Sequence, residues 1–238
     1  MSNMNFYINN IDLKFLTLMF VSTFFACTPD VYFKKPVPPN IEISTSIPDK
    51  YCGLYYFESD SSAIMVYNNM IVTESVFKYE TTLDKVLESE NCSVVDGGLH
   101  LRGRRECFPF KYISEDTILV EITEMDTIFS FTEDQVLKFD GESIYMNYRN
   151  APEEWATTII KEDGTTGDFS MHLIMIPNKK RVIKSITKKY TKRLDRDSTY
   201  IYIIDPNPKE FKRAIKTKYL KFYDKIISPN LEIETPKR

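Results

Sequence analysis

Four cysteines, two histidines and 34 carboxylates are the residues of this chain with chemistry to offer. Thiols can bind metal, form disulfides or carry a covalent group. Cys27 directly follows Ala26, and Cys52, Cys92 and Cys107 follow without a CxxC or a nearby Cys-His pair, so no zinc site is expected. Cys92 and Cys107 flank a segment centred on Asp96-Gly97-Gly98. Those residues accept positive φ, so a hairpin is expected, with a possible disulfide across it contributing about 3 kcal/mol. Cys52 is then left over, although its pairing with either partner stays open. His100 lies among Arg102, Arg104 and Arg105, and His172 lies between Met171 and Leu173 on an expected strand. A structural role is expected for both. GxSxG, HExxH and GxxxxGK motifs are absent. Glu153 and Glu154 are adjacent, so on a strand they point apart, whereas two-carboxylate catalysis needs convergence across a cleft. A carboxylate-dependent hydrolase therefore stays a remote alternative. No catalytic residue, cofactor or metal is expected.

The segment before Cys27 has a different logic. Lys14 leads into an apolar run, Phe15 to Ala26, that stops at Cys27-Thr-Pro-Asp. The run is shorter than the roughly twenty residues of a spanning helix and fits the core of an export signal. Small Ala26 before Cys27 looks like the lipobox of bacterial lipoproteins. The abundance of Lys, Asn, Ile and Tyr resembles lipoproteins of the Bacteroidota. The resemblance implies cleavage before Cys27, a diacylglyceryl group on its thiol and a fatty acyl group such as palmitate on the new amino terminus. It places the chain at the cell envelope, the outer membrane ahead of the inner, with periplasmic and surface faces both open. Each buried methylene contributes about 0.8 kcal/mol, so two or three chains anchor firmly. An ordinary secretory signal or an uncleaved short anchor are the other readings of the same residues.

Four regions are expected: a signal peptide over 1–26, the lipidated cysteine and a Pro-rich tether over 27–49, a β-rich hairpin body over 50–177, and a basic α/β part over 178–238 packed on the body. The tether expectation rests on Pro29, Pro36, Pro38, Pro39 and Pro48, which favour extended geometry. Such a spacer could hold the folded part up to roughly 70 Å from the lipid. In the body, Tyr51–Phe57, Ala63–Tyr67, Met70 to about Tyr79, Val136–Phe139, Ser143–Tyr148, Trp155–Lys161 and Phe169–Ile176 read as strands. Asn68-Asn69 and Asp140-Gly141-Glu142 are tight-turn signals, Asn through its tolerance of left-handed geometry. A short helix is expected over Thr81–Ser89, capped by Thr81 or Thr82. Separate strands are expected to start near Asp116 and Asp126. In the last region Val182, Ile183, Ile186 and Tyr190 recur at helical spacing, and Thr199–Ile204 reads as a strand. Asn207-Pro208-Lys209-Glu210 carries the capping-box pattern, and Lys221–Ile227 is a closing strand. This ending is similar to those of uncharacterised Bacteroidota lipoproteins. The fold class expected is α+β, mainly an antiparallel β meander, barrel-like or a curved sheet, with a helix-containing C-terminal part.

Charge is uneven. From Asn178 to Arg238 there are 18 Lys/Arg against 7 Asp/Glu, and the preceding residues hold 13 against 27. The expected function is that of a membrane-anchored envelope lipoprotein with a structural or protein-interaction role. The alternative is a lipocalin-like binder of a small hydrophobic ligand, with Tyr, Phe and Met lining a cup. Expected partners are the membrane, through the acyl chains, and an envelope protein or anionic headgroups at the basic part. Nucleic acid is not expected.

Overall fold

The computed structural model describes residues 31–89, 92–95, 97–103, 107–164, 167–194 and 200–228. The expected signal peptide and Cys27 lie outside the described residues, as do Asp96, Arg104 and Arg105. The strands are β1 (Val31–Phe33), β2 (Gly53–Phe57), β3 (Ala63–Val66), β4 (Met70–Thr82), β5 (Cys92–Val95), β6 (Gly98–Leu101), β7 (Cys107–Tyr112) and β8 (Thr117–Ser130). They continue with β9 (Gln135–Phe139), β10 (Ser143–Ala151), β11 (Glu154–Glu162), β12 (Phe169–Ile174), β13 (Tyr190–Leu194), β14 (Tyr200–Ile204) and β15 (Leu220–Ile227). Three short helices are α1 (Leu83–Glu88), α2 (Lys180–Ile186) and α3 (Pro208–Ala214). The fold is α+β and mainly antiparallel β, with a large mixed sheet that does not close. The described residues divide into two compact units, 77–122 and the rest of them, with β4 and β8 contributing residues to both.

In the larger unit, strands pair in the order β9-β10-β11-β12-β15-β2-β3-β4, each with its neighbour antiparallel, and β8 follows β4. Alternation along each strand sends one set of side chains inward. Leu137, Ile144, Met146, Ile160, Met171 and Ile226 thereby join one core with Phe57, Ile64, Ile71 and Phe129. Among the described residues β8 and β9 form no ladder and are joined by the Thr132–Gln135 bridge and by the bond from the Ser130 N–H to the Gln135 side chain, so the sheet stays open there.

The opposite face of β9–β11 is covered as well. Val136, Tyr145, Trp155 and Ile159 pack with β1, β14, α2 and α3 through Phe33, Ile183, Ile186, Ile204 and Phe211. Coverage on both faces is why β10 begins with five consecutive buried residues instead of alternating. In this unit the described residues of α2, β14 and α3 thus pack on β9–β11.

The Pro-rich segment does not behave as a tether over 31–49. Val31, Tyr32 and Phe33 are buried in β1, which lies parallel to β14 and touches β11 at Trp155. Val37 and Ile47 are each 2 % exposed. Two buried polar side chains hold the bend between them. Asn147 accepts from the Val37 N–H (2.9 Å) and the Thr157 hydroxyl (2.8 Å) and donates to the Val37 carbonyl (2.9 Å). The Lys138 ammonium donates to the carbonyls of Pro36 and Pro38, both at 2.9 Å. Prolines disfavour helix but leave carbonyls free, and here those carbonyls are satisfied by the sheet.

Several local expectations are refined. The Asn68-Asn69 hairpin forms, yet neither residue takes positive φ, and the Asn68 carbonyl accepts from the Ile47 N–H at 2.7 Å. Asn tolerates left-handed geometry without requiring it. At the Asp140-Gly141 turn, Gly141 does adopt φ 98°, and Asp140 accepts from the N–H of Glu142 and Ser143. β8 runs unbroken through Asp126, so the second expected strand start is absent. Tyr190 belongs to β13, not to the preceding helix. There the Thr187 hydroxyl accepts from the Lys189 N–H and turns the chain out of helix after Ile186. The caps expected from sequence are present: Thr82 accepts from the Lys85 N–H, and Asn207 with Glu210 forms a full capping box.

The smaller unit is sparse. Its core is Val86, Leu99, Phe108, Ile118 and Val120, with Cys92, Val94 and Phe110 packed alongside. Strands pair β5-β6-β7-β8, all antiparallel.

Candidate functional site

The best-formed concavity lies inside the curl of the larger unit. Tyr55 of β2, Ile64 of β3, Ile71 of β4, Ile128 of β8, Leu137 of β9 and Met146 of β10 face it, and β11, β12 and β15 add Ile160, Met171 and Ile226. Residues 44–51 run across its rim. The Ser44 N–H donates to the Leu137 carbonyl at 2.8 Å, and Ile47 and Tyr51 reach the cavity. Tyr51 stacks on Phe139 at 5.9 Å and meets Phe169 edge-on at 6.0 Å. No charged residue lines the space, which measures about 50 Å³. A cavity of about 150 Å³ takes up benzene, and ligand pockets run from about 300 Å³; the space here is smaller than either and is lined by apolar side chains. Tyr148, inward on β10 beyond Met146, is half-buried against this core, and desolvation pushes its phenol well above the usual tyrosine range.

The thiols sit apart. Cys92 pairs in register with Leu101, and Cys107 with His100. β6 therefore lies between the two cysteine-bearing strands, and, because Leu101 and His100 are consecutive, the thiols leave opposite faces of the sheet. Two strand spacings are about 10 Å, beyond the reach of a disulfide. Both thiols are free, as is Cys52. The hairpin expected across Asp96-Gly97-Gly98 exists as β5–β6, but Cys107 opens a third strand. A Cβ on Gly98 would fall 2.0 Å from the Cys107 sulfur, so only glycine leaves that thiol its room.

The other candidate residues have structural partners. Glu154 is buried and receives a two-pronged contact from Arg193, at 2.8 and 3.0 Å. Glu153, at φ 61°, pairs with Lys34 at 3.2 Å. Their neighbours are cations, not a second carboxylate. The Nε2 of His172 lies 3.0 Å from the Ser170 hydroxyl, its ring meets Phe222 edge-on, and burial lowers its affinity for a proton. Among the described residues no three of His, Cys, Asp or Glu converge as a metal site, and no helix is long and apolar enough to cross a membrane.

Sheet edges are a second kind of site, because each presents unpaired N–H and C=O groups. β13 ends one side of the larger unit's sheet and carries Lys192 and Arg193, charges that discourage strand addition. β9 is bridged at Leu137 by Ser44. In the smaller unit β5 is Cys-Ser-Val-Val, with no charge and no proline, and among the described residues its outer edge has no ladder partner. Composition gave no hint of this edge; the alternation of Val94 inward and Val95 outward, at 47 % exposure, is its only trace in the sequence.

No protein-family model, curated protein or solved structure matches the chain.

Proposed function

We propose that this is a lipid-anchored envelope protein with an interaction role, which binds an extended segment of another envelope protein along β5. The observation that supports it is the uncharged β5 edge, which among the described residues has no ladder partner on its outer side, although the Cys92 N–H donates to the Ser89 carbonyl, in a unit whose core there comprises five buried apolar residues. Units this small are marginal alone and gain from an added strand. The edge is four residues long. Its main-chain hydrogen bonds contribute about 1 kcal/mol each, so the edge by itself reaches only about millimolar affinity. Confinement of both partners to one membrane, through acyl chains on Cys27, raises the effective concentration enough to make so weak an edge useful. The anchor and the edge belong to one argument.

A photo-crosslinking side chain at Ser93, whose side chain faces outward, tests this in intact cells. The expected result is a discrete adduct that disappears when Val95→Lys is added, since lysine guards the edge without touching the core. Adducts that persist with Val95→Lys, or their absence at Ser93, refute it. The hydrophobic-ligand alternative is supported only by the apolar lining of the interior. Mass spectrometry of the purified protein separates the two, because a stoichiometric co-purifying lipid would favour the ligand binder.

A further inference from the structure

We infer that the C-terminal layer carries a docking surface for anionic phospholipid headgroups, centred on Lys179, Lys180, Arg181 and Lys192 beside the point where the chain enters the fold. In its biological setting this rests on the anchor reading of Cys27, although the surface itself does not.

The charge is the first observation. From Asn178 to Lys216 the described residues include twelve Lys/Arg and two Asp/Glu. One of the two acids, Glu210, is committed to the capping box through the Asn207 N–H. Lys179, Lys180, Arg181 and Lys192 are all exposed, and among the described residues none of them pairs with a carboxylate. Among the described residues the larger unit therefore gathers these cations without a carboxylate partner.

Position is the second observation. Val31 pairs with Tyr202, and Tyr202 pairs with Lys192. Two strand spacings, about 10 Å, separate the entry of the chain from Lys192. The Lys192 ammonium lies 3.2 Å from the centre of the Tyr200 ring, and the Tyr200 carbonyl accepts from the Asn178 side chain, which brings the Lys179–Arg181 run to the same end. Tyr200 and Leu194 are half-exposed there. An aromatic ring and an aliphatic side chain among cations match the chemistry of a headgroup region.

Chain length is the third. Three residues separate Cys27 from Val31, four residue steps in all. Four steps span at most about 14 Å, little more than the Debye length of about 8–10 Å at physiological salt. A tether reaching to Asp49 would have left these cations screened from the membrane. With Val31 already in the sheet, an acylated Cys27 keeps Lys192 within about 24 Å of the anchor, close enough for these cations to reach the headgroups.

The test is co-sedimentation of the full chain carrying Cys27→Ser with vesicles of phosphatidylglycerol plus phosphatidylcholine, against phosphatidylcholine alone. The preference for the anionic vesicles is the readout, which cancels any contribution of the apolar leader. A clear preference that collapses at high salt is expected. Each neutralisation among Lys179→Gln, Lys180→Gln, Arg181→Gln and Lys192→Gln should lower partition about fivefold, which corresponds to about 1 kcal/mol per charge. Lys188→Gln with Lys209→Gln and Lys212→Gln, at the other end of the layer, should lower it by less than fivefold in all. Equal losses in the two sets, or equal sedimentation with neutral vesicles, overturn the proposal. The anchor reading fails separately, if the wild-type chain recovered from cells carries an unmodified Cys27.

Discussion

Replacing Asn147 with leucine tests the central departure from the expected tether. Asn147 is wholly buried and holds Val37 by both its N–H and its C=O, at 2.9 Å each, while also accepting from Thr157. Leucine is close in size but offers neither donor nor acceptor. The Val37 N–H and C=O are then left buried without partners, at about 1–3 kcal/mol apiece. The Thr157 hydroxyl can rotate towards another acceptor and is left out of the sum. Asn147→Leu should therefore destabilise by about 2–6 kcal/mol, a large share of the 5–15 kcal/mol typical of a domain. Urea unfolding measures the loss, and limited proteolysis locates it, with the first new cleavage expected between Pro36 and Ile47. Were this segment a free spacer, the substitution would alter only a sheet position, the unfolding midpoint would hardly move, and proteases would cut the wild type there equally fast. A loss below about 0.5 kcal/mol, the range of neutral surface changes, refutes the clamp, and with it the short distance between Cys27 and the folded part.

Further outcomes follow from other sites. Ile47→Ala deletes a side chain that is 2 % exposed against a 50 Å³ cavity, so it should cost about 2–4 kcal/mol and let benzene raise the melting temperature, which it should not do in the wild type. Reductant should leave the unfolding midpoint unchanged, because Cys92 and Cys107 emerge from opposite faces of β6, and Cys107 should react with a thiol reagent before Cys92. His172 resists protonation in the folded state, whereas the unfolded chain takes the proton near pH 6.5. Stability should thus fall as pH drops below about 6.5, and His172→Asn should flatten that slope in denaturant titrations across the range. Asn207→Ala removes the cap of α3 and should cost about 1 kcal/mol by thermal unfolding.

The hairpins were legible in the sequence because their signals are local. Asp140-Gly141 places a positive φ between two apolar runs, and Asn207-Pro208-Lys209-Glu210 holds every atom of its cap within four residues. The sites were much less so. Spacing put Cys92 and Cys107 on two arms of one hairpin, since nothing near Cys107 announces a third strand. The prolines before Asp49 were read for the geometry they prevent, while the residues that decide their fate, Lys138 and Asn147, stand about a hundred positions later. β5 and β13 look alike as short strands; only the sheet order reveals that both are edges, which Lys192 and Arg193 guard in β13 and no charge guards in β5.

Alternation, turn chemistry and capping act over a few residues, and so the order of strands and helices, the α+β class and the concentration of positive charge after Asn178 are properties of the sequence itself. Tertiary structure decided which strands became neighbours, that the interior holds a small apolar space, and that Val31–Phe33 form a strand of the sheet. Those outcomes depend on side chains meeting across long separations. There, burial of one carbonyl or one amide outweighs local preference, because an unsatisfied polar group inside the protein costs more than any turn propensity supplies.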